Sequence, residues 1–190
     1  MKSNFYAVLS RMKNIYRWGL MRNTRRESLS EHSFEVALIS HALAVINNER
    51  LGGNADPNLC AVAALFHDTS EIITGDMPTP IKYHNPEIRD AYKKVEKIAE
   101  DKLISMLPED MQSTFAPLYE PDEQTFKIIK AADRISALIK CIEETEMGNK
   151  EFKEAKTSIE KSVRALNMKE ADIFLDDFLD GFTLTLDEQN

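Results

Sequence analysis

The chain is 190 residues long, 43% hydrophobic and 29% charged; this suits one domain over residues 1–190 with a sizeable core. A membrane span is excluded, since no apolar run nears the ~18 residues one needs. Its formal charge of −8 is uneven: residues 1–26 hold seven Lys and Arg and no acid, which leaves the rest at −15. So acidic a body excludes non-specific nucleic-acid binding, which depends on neutralising phosphates. The N-terminus lacks the apolar core of a secretory signal. Cys60 and Cys141 sit in apolar helical contexts, as buried thiols in a reducing compartment would. With only six glycines and abundant Leu, Ala, Ile, Glu and Lys, the composition points to an all-α, cytoplasmic protein.

Apolar residues from Phe5 to Tyr16 recur at three- and four-residue spacing and predict a helix over about 3–16. Arg17-Trp18-Gly19 breaks it, and 22–29 reads as irregular. The basic end has three readings: a solvated helix face, an Arg-rich targeting segment, or a contact for a small anion, the reading favoured for Arg17. Ser28-Leu29-Ser30-Glu31 fits a capping box and starts the next helix. This helix is apolar on two stripes, Phe34/Ala37/Leu38/His41/Ala42/Val45 and Val36/Ile39/Leu43/Ile46, and therefore reads as largely buried. His41, mid-helix, reads as a core histidine. His32, in the first turn, lies where a cleft can open.

Asp56-Pro57 is an N-cap followed by proline at the first helical position, opening a helix over 57 to about 69. Its end carries His67-Asp68, with Glu71 one turn on. Imidazole and carboxylate are the usual ligands of divalent first-row metals, and two neighbours need further ligands from elsewhere. Gly75-Asp76-Met77-Pro78-Thr79-Pro80 cannot be regular structure, and with Lys82 it forms either a connector or a substrate loop. Helical patterns follow over 86–106, 108–120, 122–146, 150–166 and 169–180. In the long one, Asp133 falls on the apolar stripe of Phe126, Ile129 and Ala137. A buried carboxylate needs a cation: either Lys130 or Arg134, or a metal shared with His32, His67 and Asp68.

The order His32, His67-Asp68, Asp133 on three helices resembles the HD-domain metal-dependent phosphohydrolases. More closely, the chain resembles the bacterial YfbR-type 5′-deoxynucleotidases through RWGLMRN (17–23), SEHS (30–33), HDTSE (67–71), TGDMPTPIKY (74–83), FAPL (115–118), KAAD (130–133) and LDE (186–188). The resemblance implies a single-domain all-α HD bundle that forms homodimers. It implies hydrolysis of deoxyribonucleoside 5′-monophosphates with one divalent metal on His32, His67, Asp68 and Asp133. Co²⁺ or Mn²⁺ is favoured, with Fe²⁺, Ni²⁺, Zn²⁺ and Cu²⁺ also suited. Glu71 matches the acid/base, with Asp76 and Arg17 in the catalytic set. Arg17 would orient the phosphate, and Trp18 would lie on the sugar and exclude a 2′-hydroxyl. Asp76, Met77, Pro78 and Thr79 would form the substrate loop beside His32, Asp68 and Asp133, with Lys82 a further phosphate candidate. Two alternatives stand: another HD activity on dNTPs or phosphodiesters, and a non-catalytic nucleotide-binding helical protein.

Overall fold

The fold was taken from a computed structural model, which describes residues 2–82 and 84–189 and, for Thr79 and Pro80, the backbone alone. Among the described residues all regular elements are helical, apart from one isolated antiparallel bridge between Tyr16 and Ser28. The all-α expectation therefore holds. No helix among them is long and apolar enough to cross a membrane.

The first predicted helix is shorter than its pattern. α1 covers Phe5–Leu9, a 3₁₀ stretch covers Ser10–Asn14, and the chain is extended at Ile15. Its hydrogen bonds run across to the next segment instead of along the axis: Leu29 N–H donates to Ile15 O at 2.8 Å and Arg17 N–H to Glu27 O at 3.0 Å. α2 (Leu29–Leu51) starts at the expected capping box, Ser28 N–H donating to Glu31 Oε2 at 2.7 Å and Glu31 N–H to Ser28 Oγ at 3.3 Å. It ends at Gly52, whose φ of +71° is a conformation that favours glycine.

The two stripes of α2 differ in burial. Val36, Ile39, Leu43 and Ile46 are covered, whereas on the other stripe Ala37 and Ala42 pack on the core while Phe34, Leu38, His41 and Val45 are exposed. His41 is thus a surface residue and not the core histidine its pattern suggested. Periodicity finds both apolar faces of a helix but says nothing about which one has a neighbour.

α3 (Pro57–Phe66) is capped by Asp56, which accepts from Asn58 N–H and Leu59 N–H at 2.9 and 3.0 Å. It stops three residues before the expected end. His67 Nδ1 lies 2.6 Å from Ala64 O, and Thr69 Oγ1 donates to Phe66 O at 2.8 Å. Those side chains take carbonyls at the helix end, and His67-Asp68 sits on a turn. Short helices α4 (Glu71–Thr74) and α5 (Thr79–Lys82) follow. The second was expected to be loop. A proline in a helix's first turn breaks no internal hydrogen bond, so Pro80 does not forbid it. α6 (Pro86–Ser105), α7 (Glu109–Tyr119), α8 (Glu123–Glu146), α9 (Lys153–Arg164) and α10 (Lys169–Phe178) complete the set near their predicted bounds.

Among the described residues, two apolar clusters hold these helices. In the larger, α2, α3, α8, α9 and α10 meet through residues such as Leu43, Ile135, Leu138, Ile139, Val163 and Phe174. Fully covered Ala63, Ala64, Ala131 and Ala132 lie where the helices approach closely. The smaller joins Phe5, Leu103 and Leu107 to Phe66 and Phe115. Phe66 meets the Phe115 ring edge-on at 5.8 Å. The residue before His67 is thereby clamped, and with it the turn.

A buried polar knot fixes the stretch after Trp18. Glu144 on α8, 1% exposed, accepts from Thr24 N–H at 2.9 Å, Thr24 Oγ1 at 2.6 Å, Arg25 N–H at 3.2 Å and Asn149 Nδ2 at 2.7 Å. It also pairs with Lys140, which donates to Arg25 O. Burial opposes ionisation, but the bonds from Lys140, Thr24 and Asn149 hold this carboxyl well below the ordinary range. A depressed folded value means that the stabilisation is present above the unfolded value of 4.5 and fades as the pH falls. Glu144→Ala strands Lys140 and several donors, so a loss of about 3–5 kcal/mol is expected. Urea unfolding at pH 7 checks it; the difference from wild type should shrink as the pH falls below the unfolded value.

A candidate metal centre

Three elements converge on one point: the first turn of α2, the turn after α3, and the middle of α8. His32, His67, Asp68 and Asp133 each offer a ligand atom, all within 4.8 Å of one another. His32 Nε2 lies 3.2 Å from Asp133 Oδ1 and 3.5 Å from Asp68 Oδ2, and His67 Nε2 lies 3.2 Å from Asp68 Oδ2. Yet both Nε2 atoms are buried with no hydrogen-bond partner. Two unpartnered imidazole nitrogens facing two carboxylates are what a cation between them would need. The far nitrogens are engaged. His67 Nδ1 is bonded to Ala64 O, and His32 Nδ1 lies 3.1 Å from Ser136 Oγ, which in turn donates to Glu35. That arrangement sets which nitrogen points inward. The quartet can hold a divalent metal ion, and its N₂O₂ chemistry suits the first-row series.

The charges agree. Burial opposes the ionised form of Asp68 and Asp133, yet both lie below the usual carboxylate range: Asp68 through His67 and His32, Asp133 through His32 and Lys130. Burial and Arg17 oppose protonation of His32, but the facing carboxylates of Asp133, Asp68 and Glu27 push it up to about 10. The partner of Asp133 is therefore His32. Arg134 instead donates to Ser162 O, and Lys130 lies over the Phe126 ring.

Around the quartet stand the other residues singled out in the sequence. Arg17, its side chain 14% exposed, points Nη1 at Asp68 Oδ2, 3.4 Å away. Burial works against its charge, but Asp68, Asp133, Glu27 and Asp76 raise its pKa, so it remains cationic. Trp18 has φ +61°, a strained conformation for a bulky residue that costs on the order of 1–3 kcal/mol. Its ring packs on Phe152, centroids 5.4 Å apart, and its Nε1–H donates to Glu27 Oε2 at 2.7 Å. Glu71 is 6% exposed and its Oε2 has no hydrogen-bond partner among the described residues. Burial, Asp68 and Asp76 push this carboxyl up to about 9, opposed by Arg17 and Lys82.

Gly75, at φ +78°, turns the chain from α4 into Asp76, Met77 and Pro78, all half-buried. Burial raises the Asp76 carboxyl, Arg17 lowers it and Asp68 raises it, so its charge is felt at the site. The Thr79 side chain lies outside the described residues. Lys82 is engaged elsewhere: its Nζ donates to Glu96 at 2.7 Å and sits 4.8 Å from the Tyr92 ring centroid. Sequence reasoning missed Glu27, Ser136 and Glu35. The only signal for Glu27 is that it is the first acid after 26 residues without one.

An all-helical frame with this quartet on α2, the α3 turn and α8 defines an HD-type phosphohydrolase. An HD-domain phosphohydrolase from Listeria innocua superposes with a TM-score of 0.81 at 26% identity, covering 94% of this chain and 88% of that one. The cyanophage S-2L HD phosphohydrolase DatZ, solved with dA and one catalytic Zn²⁺ ion, shares the fold with a TM-score of 0.67 at 17% identity, over 92% and 96% of the two chains. In sequence, the 5′-deoxynucleotidase yfbR of Photorhabdus temperata is 50% identical over 189 residues, 98% of this chain and 96% of that protein. Residues 4–182 match the family described as 5′-deoxynucleotidase YfbR-like, and the chain belongs to that family. It is a hydrolase of the 5′-deoxynucleotidase type.

Proposed function

We propose that the chain, acting as one HD domain, hydrolyses deoxyribonucleoside 5′-monophosphates to deoxyribonucleoside and phosphate. The observation that carries this reading is the juxtaposition at the quartet: Arg17 on Asp68, a buried Glu71, and Trp18 next in sequence to that arginine. His32, His67, Asp68 and Asp133 hold one divalent ion. An ion held there would lower the pKa of water, from about 15.7 toward roughly 7, and would act as a Lewis acid toward the phosphoryl group. Arg17 offers a fork of donors to the phosphate oxygens. Glu71 moves the proton, either from the attacking water or onto the leaving 5′-oxygen. Asp76, Met77, Pro78 and Thr79 border the substrate, and Trp18 lies on the sugar where a 2′-hydroxyl would clash. Lys82, held by Glu96, anchors this loop, and its charge reaches the phosphate only from a distance.

Phosphate release from dAMP and AMP after chelation tests the reading, with Co²⁺, Mn²⁺, Mg²⁺ or Zn²⁺ restored in turn. Release from dAMP and little from AMP is expected, with dATP and cyclic nucleotides left intact. Of the metals, Co²⁺ and Mn²⁺ are expected to serve best, the two that the family resemblance favours. No release with any metal would sink the reading and return the nucleotide-binding alternative.

We also infer a cytoplasmic homodimer. Free, buried Cys60 and Cys141 support a reducing compartment. The open stripe of α2, with Phe34 60% and Leu38 57% exposed, supports pairing with a second copy. Light scattering coupled to size exclusion should give twice the chain mass for the wild type and the single-chain mass for Phe34→Glu/Leu38→Glu. A wild type of single-chain mass would refute the dimer.

A further inference from the structure

Glu27 has no part in the scheme above, yet it touches three of its members. It lies between Arg26 and the Ser28 cap, with only 12% of its side chain exposed. One carboxylate oxygen, Oε2, accepts the Trp18 indole N–H at 2.7 Å. The other, Oε1, lies 3.4 Å from His32 Nδ1 and 3.8 Å from Arg17 Nε. Its backbone carbonyl accepts the Arg17 N–H at 3.0 Å. An indole N–H has no acceptor capacity and, when buried, needs a partner. Arg17 Nε is buried with no hydrogen-bond partner among the described residues, and Glu27 Oε1, 3.8 Å away, is a carboxylate oxygen facing it. Trp18 leaves the bridge beside Arg17 in a left-handed conformation, so its ring is aimed by outside contacts, and among these Glu27 supplies the one directional bond to the ring itself.

We propose that Glu27 is a positioning residue for substrate selection: one carboxylate fixes Trp18 on the sugar side and braces Arg17 and His32 on the phosphate side. It touches neither substrate nor metal in this scheme and acts through the residues it holds. The proposal rests on the deoxynucleotidase reading above. It separates two functions by atom. The bond to Trp18 needs only an acceptor oxygen, which an amide retains. The support of Arg17 and His32 uses the negative charge, which an amide loses.

The test compares wild type, Glu27→Ala, Glu27→Gln and Trp18→Ala. The quantity read is the ratio of kcat/KM for dAMP to that for AMP, a ratio indifferent to the fraction of each variant that is folded. In Glu27→Ala the ratio should fall about tenfold or more, as is usual for lost outer-shell support, toward the Trp18→Ala value. Glu27→Gln should keep the ratio near wild type while KM for dAMP rises, a split that a general loss of stability would not produce. The single tryptophan gives a second readout without substrate or metal. Acrylamide quenching of Trp18 emission should increase in Glu27→Ala and stay near wild type in Glu27→Gln.

Wild-type ratio and quenching in Glu27→Ala would overturn the proposal. A wild type that hydrolyses dAMP no better than AMP would overturn the underlying reading instead. In that case, or if Glu27→Ala has no measurable turnover, quenching decides on its own whether Glu27 positions the ring.

Discussion

Glu71→Gln is expected to lower kcat by about 10²–10⁴-fold while leaving the fold and metal uptake in place. The side chain is nearly isosteric, and Glu71 is not one of the four converging ligands, so the loss should fall on proton transfer. Its environment is unusual for a carboxyl. It is 6% exposed, one oxygen lacks a partner, and burial with Asp68 and Asp76 nearby pushes its pKa up to about 9. A cation in the quartet would bring that value back toward neutrality, the range in which a proton-transfer group works best. The sign of the pH dependence then identifies the step. If Glu71 donates to the leaving oxygen, wild-type kcat falls as pH rises through its pKa, and Glu71→Gln loses that alkaline limb. If it accepts from water, kcat falls as pH drops, and the acid limb is lost. A variant with near-wild-type kcat and both limbs intact would remove Glu71 from the chemistry.

Much of this frame is legible from local rules. The α2 capping box and the Asp56-Pro57 start are side-chain-to-backbone bonds within a few residues, and they appear where the sequence puts them. For the quartet, the apolar stripe around Asp133 asks for a cation but leaves Lys130, Arg134 or a shared metal open, and the ligand set follows from the resemblance in the order His32, His67-Asp68, Asp133. Residues whose setting depends on distant neighbours are not legible. His41 sits on an apolar stripe whose large side chains Phe34, Leu38 and Val45 are exposed. α3 ends early because His67 and Thr69 side chains bond its last carbonyls, which periodicity ignores. Lys82 reads as a further phosphate candidate until Glu96, fourteen residues on, is seen beside it. Glu27 reads as an ordinary surface acid in a polar stretch. Only the return of the chain at the Tyr16–Ser28 bridge brings it against Arg17, Trp18 and His32.

Asp133→Ala should abolish detectable turnover by emptying the quartet, and here the decisive readout needs no substrate. Asp133 is the candidate ligand from α8, the only one of the four not on α2 or the α3 turn, so its loss would leave no oxygen on that side. A ligand that binds the folded state alone stabilises it by about 2.7 kcal/mol at 100 times its Kd. Wild-type Tm should therefore rise with added Co²⁺ or Mn²⁺, while the Asp133→Ala Tm should not move. The same titration carries a pH dependence. His32, raised to about 10, holds a proton through the neutral range, and a metal must displace it to reach Nε2. Apparent metal affinity in the wild type should then weaken by about tenfold for each pH unit lost below that value, one proton being exchanged per ion. A metal-dependent Tm rise retained in Asp133→Ala would exclude Asp133 as a ligand. A pH-independent affinity would mean that His32 is already neutral before the ion arrives, and that its proton is not the one the metal replaces.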